Sequence, residues 1–123
     1  MPLEQQTTSL EVSQNMEKLG FKQESLFYVD EQDGDITYGM FTPPNYSGHT
    51  FISAFTCSEL GEMLPAYFGS HYNKQWGKWT CFDGARSEEF TTLWVEKAET
   101  EADARGKMLI YLAENGLIDP KNI

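Results

Sequence analysis

Cys57, Cys81, His49 and His71 are the side chains of this 123-residue chain best suited to nucleophilic or metal chemistry. Four such donors match the ligand count of a structural zinc site. Those sites draw on closely spaced ligand pairs, however, and these four residues supply none. Cys57 falls at the start of an expected helix, where the dipole would favour a thiolate, with His71 or His49 as its base. No spacing ties that trio together, so a cysteine- or metal-dependent hydrolase is the most remote reading. The acid-rich run "DEQDGD" fails as a calcium loop: with Gly34 at the loop glycine, Val29 falls first and Met40 twelfth. Asp30, Asp33 and Asp35 there fit a solvated hairpin tip better than an ion site. Nineteen acidic residues make carboxylate pairs uninformative about glycoside chemistry. The glycines never gather between a strand and a helix as a phosphate loop requires. The sequence nominates no catalytic residue, no metal ligand and no cofactor.

Recognition has a better candidate. The segment from Pro65 to Trp79 interleaves Tyr67, Phe68, His71, Tyr72 and Trp76 with Gly69, Ser70, Asn73 and Gly77. Rigid aromatics among adaptable polar residues give large contact area at low entropy cost, as contact surfaces require. A long loop in a short chain is also a common place for function. Tyr67, Phe68, His71, Tyr72 and Trp76 are therefore the expected partner- or ligand-binding residues. An alternative has Tyr72 and Trp76 stacking on a sugar or base, as a small-ligand or carbohydrate-binding domain would. The plainer reading folds Tyr67, Phe68 and Trp79 back into the core.

Charge narrows the partners. Net charge is −10, which opposes phosphate backbones and anionic membranes. Ten acids face two lysines up to Leu64, and nine acids face seven basic residues beyond it. Solubility explains a surplus of this kind, and an acidic face for a basic partner is the sharper account. Direct nucleic-acid binding and membrane association are not expected. Two cysteines are too few for a disulfide framework. "MPLEQQTTSLEV" lacks the basic-then-apolar pattern of a secretion signal, so a reducing cytoplasm is the expected setting.

The elements follow from local signals. About seven N-terminal residues are expected to fray. "SLEVSQNMEKLG" reads as a helix capped by Ser9 and stopped at Gly20. "LFYVDEQDGDITYGMF" reads as a hairpin around a two-residue turn at Asp33-Gly34, pairing Val29 with Tyr38 and Phe27 with Met40. Phe27, Val29, Ile36, Tyr38 and Met40 then share the core face, and Tyr28 the opposite one. "TPPNYSGH" is a loop and "TFISAF" a strand. Thr56 and Glu59 form a capping box for "CSELGEM", ended by Pro65. "KWTCFD" and "EFTTLWVEKA" read as a second strand pair joined by "GARSE", with Leu93 and Val95 on one face and Thr92 and Trp94 on the other. The final helix is capped by Thr100 and stopped by Asn115-Gly116, with i,i+4 pairs Glu101–Arg105 and Asp103–Lys107. Its Ala102, Gly106, Leu109 and Ala113 seam is expected against a sheet, with Asp103, Lys107 and Glu114 wet.

"SELGEMLP" (58–65) and "TEADARGKMLIYLAENGLI" (100–118) resemble small uncharacterised phage- and prophage-type proteins of gut Bacteroides-like bacteria. The likeness covers about a fifth of the chain, and Gly106 departs from the bulkier residue expected there. It implies a mobile-element origin and an intracellular setting, and transfers no functional residue. Together the signals give one α+β domain over residues 1–123, an antiparallel sheet from two hairpins with two or three helices mainly on one face. Two separate two-stranded units around a helical core, or a sheet completed by a second subunit, are the alternatives. The functional expectation is an acidic, non-enzymatic accessory module that contacts a bacterial or phage protein. A homodimer is compatible with it.

Overall fold

The computed structural model describes residues 2–45, 47–66, 68–83 and 96–123. The fold is α+β with antiparallel sheets. In order it runs α1 (Leu3–Gln6), α2 (Leu10–Leu19), β1 (Phe27–Asp30), β2 (Ile36–Tyr38), β3 (Phe51–Ala54), α3 (Cys57–Met63), β4 (Phe68–Asn73), β5 (Lys78–Asp83), β6 (Glu96–Ala98) and α4 (Glu101–Glu114). A 3₁₀ turn follows at Pro120–Asn122. The strands form two three-stranded sheets, ordered β2-β1-β3 and β4-β5-β6.

The helix ends obey their local chemistry. Ser9 Oγ accepts from Val12 N–H at the start of α2, and Gly20 at φ 96° ends it, a left-handed stop that glycine adopts without steric cost. Thr56 and Glu59 complete the capping box of α3. Thr100 accepts from Asp103 N–H at the start of α4.

Residues 3–8 are not frayed. Leu3–Gln6 is one helical turn, and Thr7 and Thr8 are buried. Thr8 N–H donates to Phe55 O at 2.9 Å, and Thr8 Oγ1 accepts from Phe55 N–H at 3.0 Å. A polar segment enters the interior here because its hydrogen bonds are satisfied across the chain.

The first hairpin keeps the expected faces but not the expected register. Phe27 pairs with Tyr38 and Val29 with Ile36, a displacement of two residues that leaves these four side chains on one face, while Met40 falls beyond the end of β2. The two-residue turn gives way to a wider one, because Asp30 N–H donates to Asp35 O and Gly34 N–H to Asp30 O. Burial also departs from expectation. Val29 is buried, whereas Tyr38 and Met40 are 56% and 62% exposed. Tyr28, on the other face, is fully buried and donates its hydroxyl to Gln23 O at 3.1 Å.

The main core joins Val12 and Met16 of α2, Leu60 of α3, Cys81 of β5, Ala98 of β6 and the buried row Ala104, Met108 and Leu112 of α4. A smaller cluster of Val29, Ile52 and Ala54 lies against Leu10 and Phe27. At Gly106 the small-residue seam of α4 meets α2, where a Cβ would stand 2.6 Å from Val12 Cγ1 and 3.1 Å from Thr8 Cγ2, and α4 also packs against β5 and β6. Asp103 is not wet; its Oδ1 accepts from Ser9 N–H at 2.7 Å. Lys107 instead donates to Lys97 O.

Candidate functional site

The aromatic segment is a hairpin rather than a loop. Six residues of β4 pair with β5, from Phe68 opposite Asp83 to Asn73 opposite Lys78. Asn73 builds the turn: its Oδ1 accepts from Gln75 and Trp76 N–H, and its carbonyl from Gly77 N–H. Gly77 supplies the positive φ of 66°. Pairing with β5 overrides the turn-forming character of Gly69 and Ser70, whereas Asn73, at the strand end, keeps it.

Strand alternation sorts the expected contact residues. Phe68 is half-buried against the core. Tyr72 packs on Trp79 across the hairpin, ring centroids 5.6 Å apart, and is 46% exposed. His71 lies on the opposite face, its Nδ1 3.1 Å from Thr80 Oγ1 and its ring edge-on to Phe82. Trp76 is 53% exposed and takes the Lys97 ammonium 3.8 Å from its ring centroid. Lys97 pairs with Thr80, so Trp76 belongs to the His71 face and Tyr72 to the other. The hairpin thus presents two aromatic surfaces back to back, not one stacking platform. Tyr67 lies outside the described residues, as do Thr92, Leu93, Trp94, Val95 and the "GARSE" link.

Beside Trp79 opens a cleft of about 600 Å³, lined by Gln5 and Gln6 of α1, Thr56, Cys57 and Ser58 at the start of α3, and Glu99, Thr100 and Glu101 at the start of α4. Behind it the polar groups neutralise one another. Glu101 Oε2 accepts from Ser70 Oγ–H at 2.5 Å and from Arg105 Nη2 at 3.4 Å. Arg105 also donates to Ser70 Oγ and, at 3.1 Å, to Cys57 O. Gly61 admits that guanidinium, since a Cβ there would stand 2.6 Å from Arg105 Nη1. Glu99 forms an ion pair with Lys78.

The Cys57 thiol donates to Glu101 Oε1 at 3.7 Å. Burial first, then the Glu101 charge and this hydrogen bond, push it up to about 11 against the opposing pull of Arg105. The helix start therefore does not deliver the thiolate that its position suggested, because desolvation and a carboxylate outweigh the dipole. Cys81 is buried, and its thiol is likewise raised to about 11, chiefly by burial. The cleft reached from α1, α3 and α4 was invisible to a reading centred on residues 65–79. Trp79 was the one signal in that segment that belonged to it.

The four zinc candidates do not gather. Cys57 lies at the cleft, Cys81 faces the core, His71 projects from the other face of that sheet, and His49 sits at the first hairpin. There it meets Asp30 and Asp33, the three donor atoms lying within 4.8 Å of one another. Asp35 contributes its carbonyl to the hairpin instead. Burial raises the Asp30 carboxyl, but the Gln32 N–H, the His49 ring and the Asp33 N–H outweigh it and hold it below 3.8. Asp30 is consequently ionised, and His49 Nδ1 donates to its Oδ2 at 2.6 Å. A cation would have to displace that proton.

A second surface follows β2. Gly39 passes over the buried Tyr28 ring, where a Cβ would stand 2.6 Å from Tyr28 Cε2 and 2.7 Å from Thr42 O. The chain then turns through two consecutive non-glycine residues of positive φ, Met40 at 49° and Phe41 at 69°. Their N–H groups donate to Leu26 O and Ser25 O, which fixes the turn and directs both side chains outward, Phe41 being 55% exposed. Phe41, Leu26, Met63 and Ile123 line a depression of about 380 Å³ bordered by Glu24, Glu59 and Glu62. A neighbouring one of about 240 Å³ shares Glu24, Met63 and Ile123 with it and reaches Phe21 and Phe55. The sequence pattern places Met40 and Phe41 inside the second strand of the first hairpin, with Met40 on the core face; β2 instead ends at Tyr38, and both residues fall in the turn beyond it.

Fold and surfaces define an α+β protein with an apolar groove bordered by Glu24, Glu59 and Glu62 and a cleft beside Trp79 whose Cys57 thiol is raised to about 11. No family model, curated protein or solved structure matches the chain.

Proposed function

We propose that the protein is an acidic, non-catalytic protein-interaction module that works in the cytoplasm on a bacterial or phage protein. The observation that carries this reading is the concentration of exposed apolar side chains. Of seven large ones among the described residues, Tyr38, Met40 and Phe41 follow one another around β2, while Tyr72 and Trp76 stand on opposite faces of the β4–β5 hairpin. Grouped apolar exposure marks interaction surfaces, whereas single exposed residues carry no such meaning. The net charge of −10 favours a basic protein over phosphate or an anionic membrane. The thiol lining the cleft is held protonated, which favours recognition over nucleophilic chemistry. No helix among the described residues is long and apolar enough to cross a membrane.

The test is affinity capture from bacterial lysate at low and physiological salt, with the intact protein and a Tyr38→Ser/Phe41→Ser/Tyr72→Ser variant. A specific partner lost with the variant supports the reading. Equal recovery by both, or none, removes it.

A second reading rests on the cleft. Trp79 beside the amides of Gln5 and Gln6 and the hydroxyls of Thr56 and Ser58 suits a small polar ligand with one flat face, such as a sugar. Tryptophan fluorescence that stays flat against glycans and nucleotides would retire it.

A further inference from the structure

We infer that the groove between β2 and α3 is the docking site for a basic, apolar segment of a partner protein. The inference rests on the interaction-module reading and specifies where the partner sits and what chemistry it carries. Three observations converge on this groove. Its floor is apolar, formed by Leu26, Phe41, Met63 and Ile123, and it continues into the neighbouring depression toward Phe21 and Phe55. Its border carries Glu24 and Glu62, both exposed, together with Glu59, against Lys22 as the basic side chain at the far end. Finally, the wall is pre-set. Left-handed backbone at Met40 and Phe41 is costly for residues with a Cβ, yet hydrogen bonds to Leu26 O and Ser25 O hold it. A side chain displayed from a fixed backbone loses less entropy on binding than one on a mobile loop.

The charge selects the occupant. Apolar side chains fill the floor, and lysine or arginine on the same segment meets the carboxylate border. A second copy of this chain is disfavoured, since each copy carries −10. An acidic segment would meet like charge at Glu24 and Glu62.

Fluorescence polarisation tests the occupant with three labelled peptides of equal length: leucine and lysine at helical spacing, leucine and glutamate, and serine and lysine. The intact protein should bind the leucine–lysine peptide, more weakly as salt rises, and bind the other two at least about tenfold more weakly. Phe41→Ser and Glu62→Lys should each weaken it by about tenfold, and Glu11→Lys, exposed in the first turn of α2, by less than twofold. Both groove residues are exposed, so unchanged thermal melting will confirm that the variants fold. Equal binding of the serine–lysine peptide would reduce the effect to net charge and overturn the inference. So would indifference to Phe41→Ser and Glu62→Lys, no binding at all, or a dimer in sedimentation that Phe41→Ser dissociates. Should the peptides fail while partner capture persists through Tyr72, the groove falls and the interaction module stands.

Discussion

At the scale of single residues, Cys57 sets a helix start against burial, and burial wins. Helix N-termini and nearby cations lower thiol pKa values, while desolvation and carboxylates raise them. Here Glu101 stands at the thiol, and Arg105 is divided between Glu101, Ser70 and the Cys57 carbonyl. A rise from 9.0 to about 11 leaves about a hundredfold less thiolate at pH 8. The more basic thiolate is the stronger nucleophile and recovers about tenfold of that. Reaction with a chromogenic disulfide should thus be about tenfold slower than for an unperturbed cysteine. Glu101→Gln, which removes the charge and keeps the side chain's size, should accelerate it. A reactivity midpoint at or below pH 9 in the intact protein would contradict this account. Cys81 should stay silent until the protein unfolds, because it is fully buried.

Among the elements, α2 and α4 show what close approach costs and returns. Alanine in place of Gly106 would gain about 1 kcal/mol of helix propensity. Its Cβ, however, would meet Val12 Cγ1 at 2.6 Å and Thr8 Cγ2 at 3.1 Å, and overpacking of this kind costs about 1–3 kcal/mol. Gly106→Ala should therefore lower the urea midpoint, and Val12→Ala should cost less in that background than alone, a coupling that a double-mutant cycle reads directly. Additive effects would show that the helices do not meet through these two residues. The glycine was legible in the sequence as a site of close packing, but its partner was not. Caps were legible for a related reason: Ser9, Thr56 and Thr100 each act within three residues of themselves. What escaped reading depends on distant chain. Thr7 and Thr8 look like a polar tail until Phe55 and Thr56 are placed beside them. Gly69 and Ser70 look like loop residues until β5 pairs with them. The aromatic hairpin was found by composition, yet its division into two faces required the register. The cleft and the groove each draw lining from separated stretches, so only the aromatic portion of the cleft, at Trp79, lay within the segment the sequence singled out.

For the whole molecule, a net charge of −10 makes pH a lever on both folding and association. Acidification relieves repulsion among carboxylates, yet one carboxylate works the other way. Asp30 is buried and its Oδ1 accepts from Gln32 N–H at 2.8 Å while His49 holds Oδ2. These partners keep its folded pKa below the unfolded value of 3.8. Above 3.8 Asp30 is ionised in both states, and its native interactions contribute in full. As the pH falls past 3.8 the unfolded chain takes up a proton that the folded one refuses. Stability then declines until the folded pKa is passed. Asp30→Asn keeps an acceptor for the turn but has no charge to lose. Its urea midpoint should lie below that of the intact protein at pH 6, and the gap should close as the pH falls from 4 toward 2. A gap that stays constant across that range would mean that Asp30 acts through shape alone.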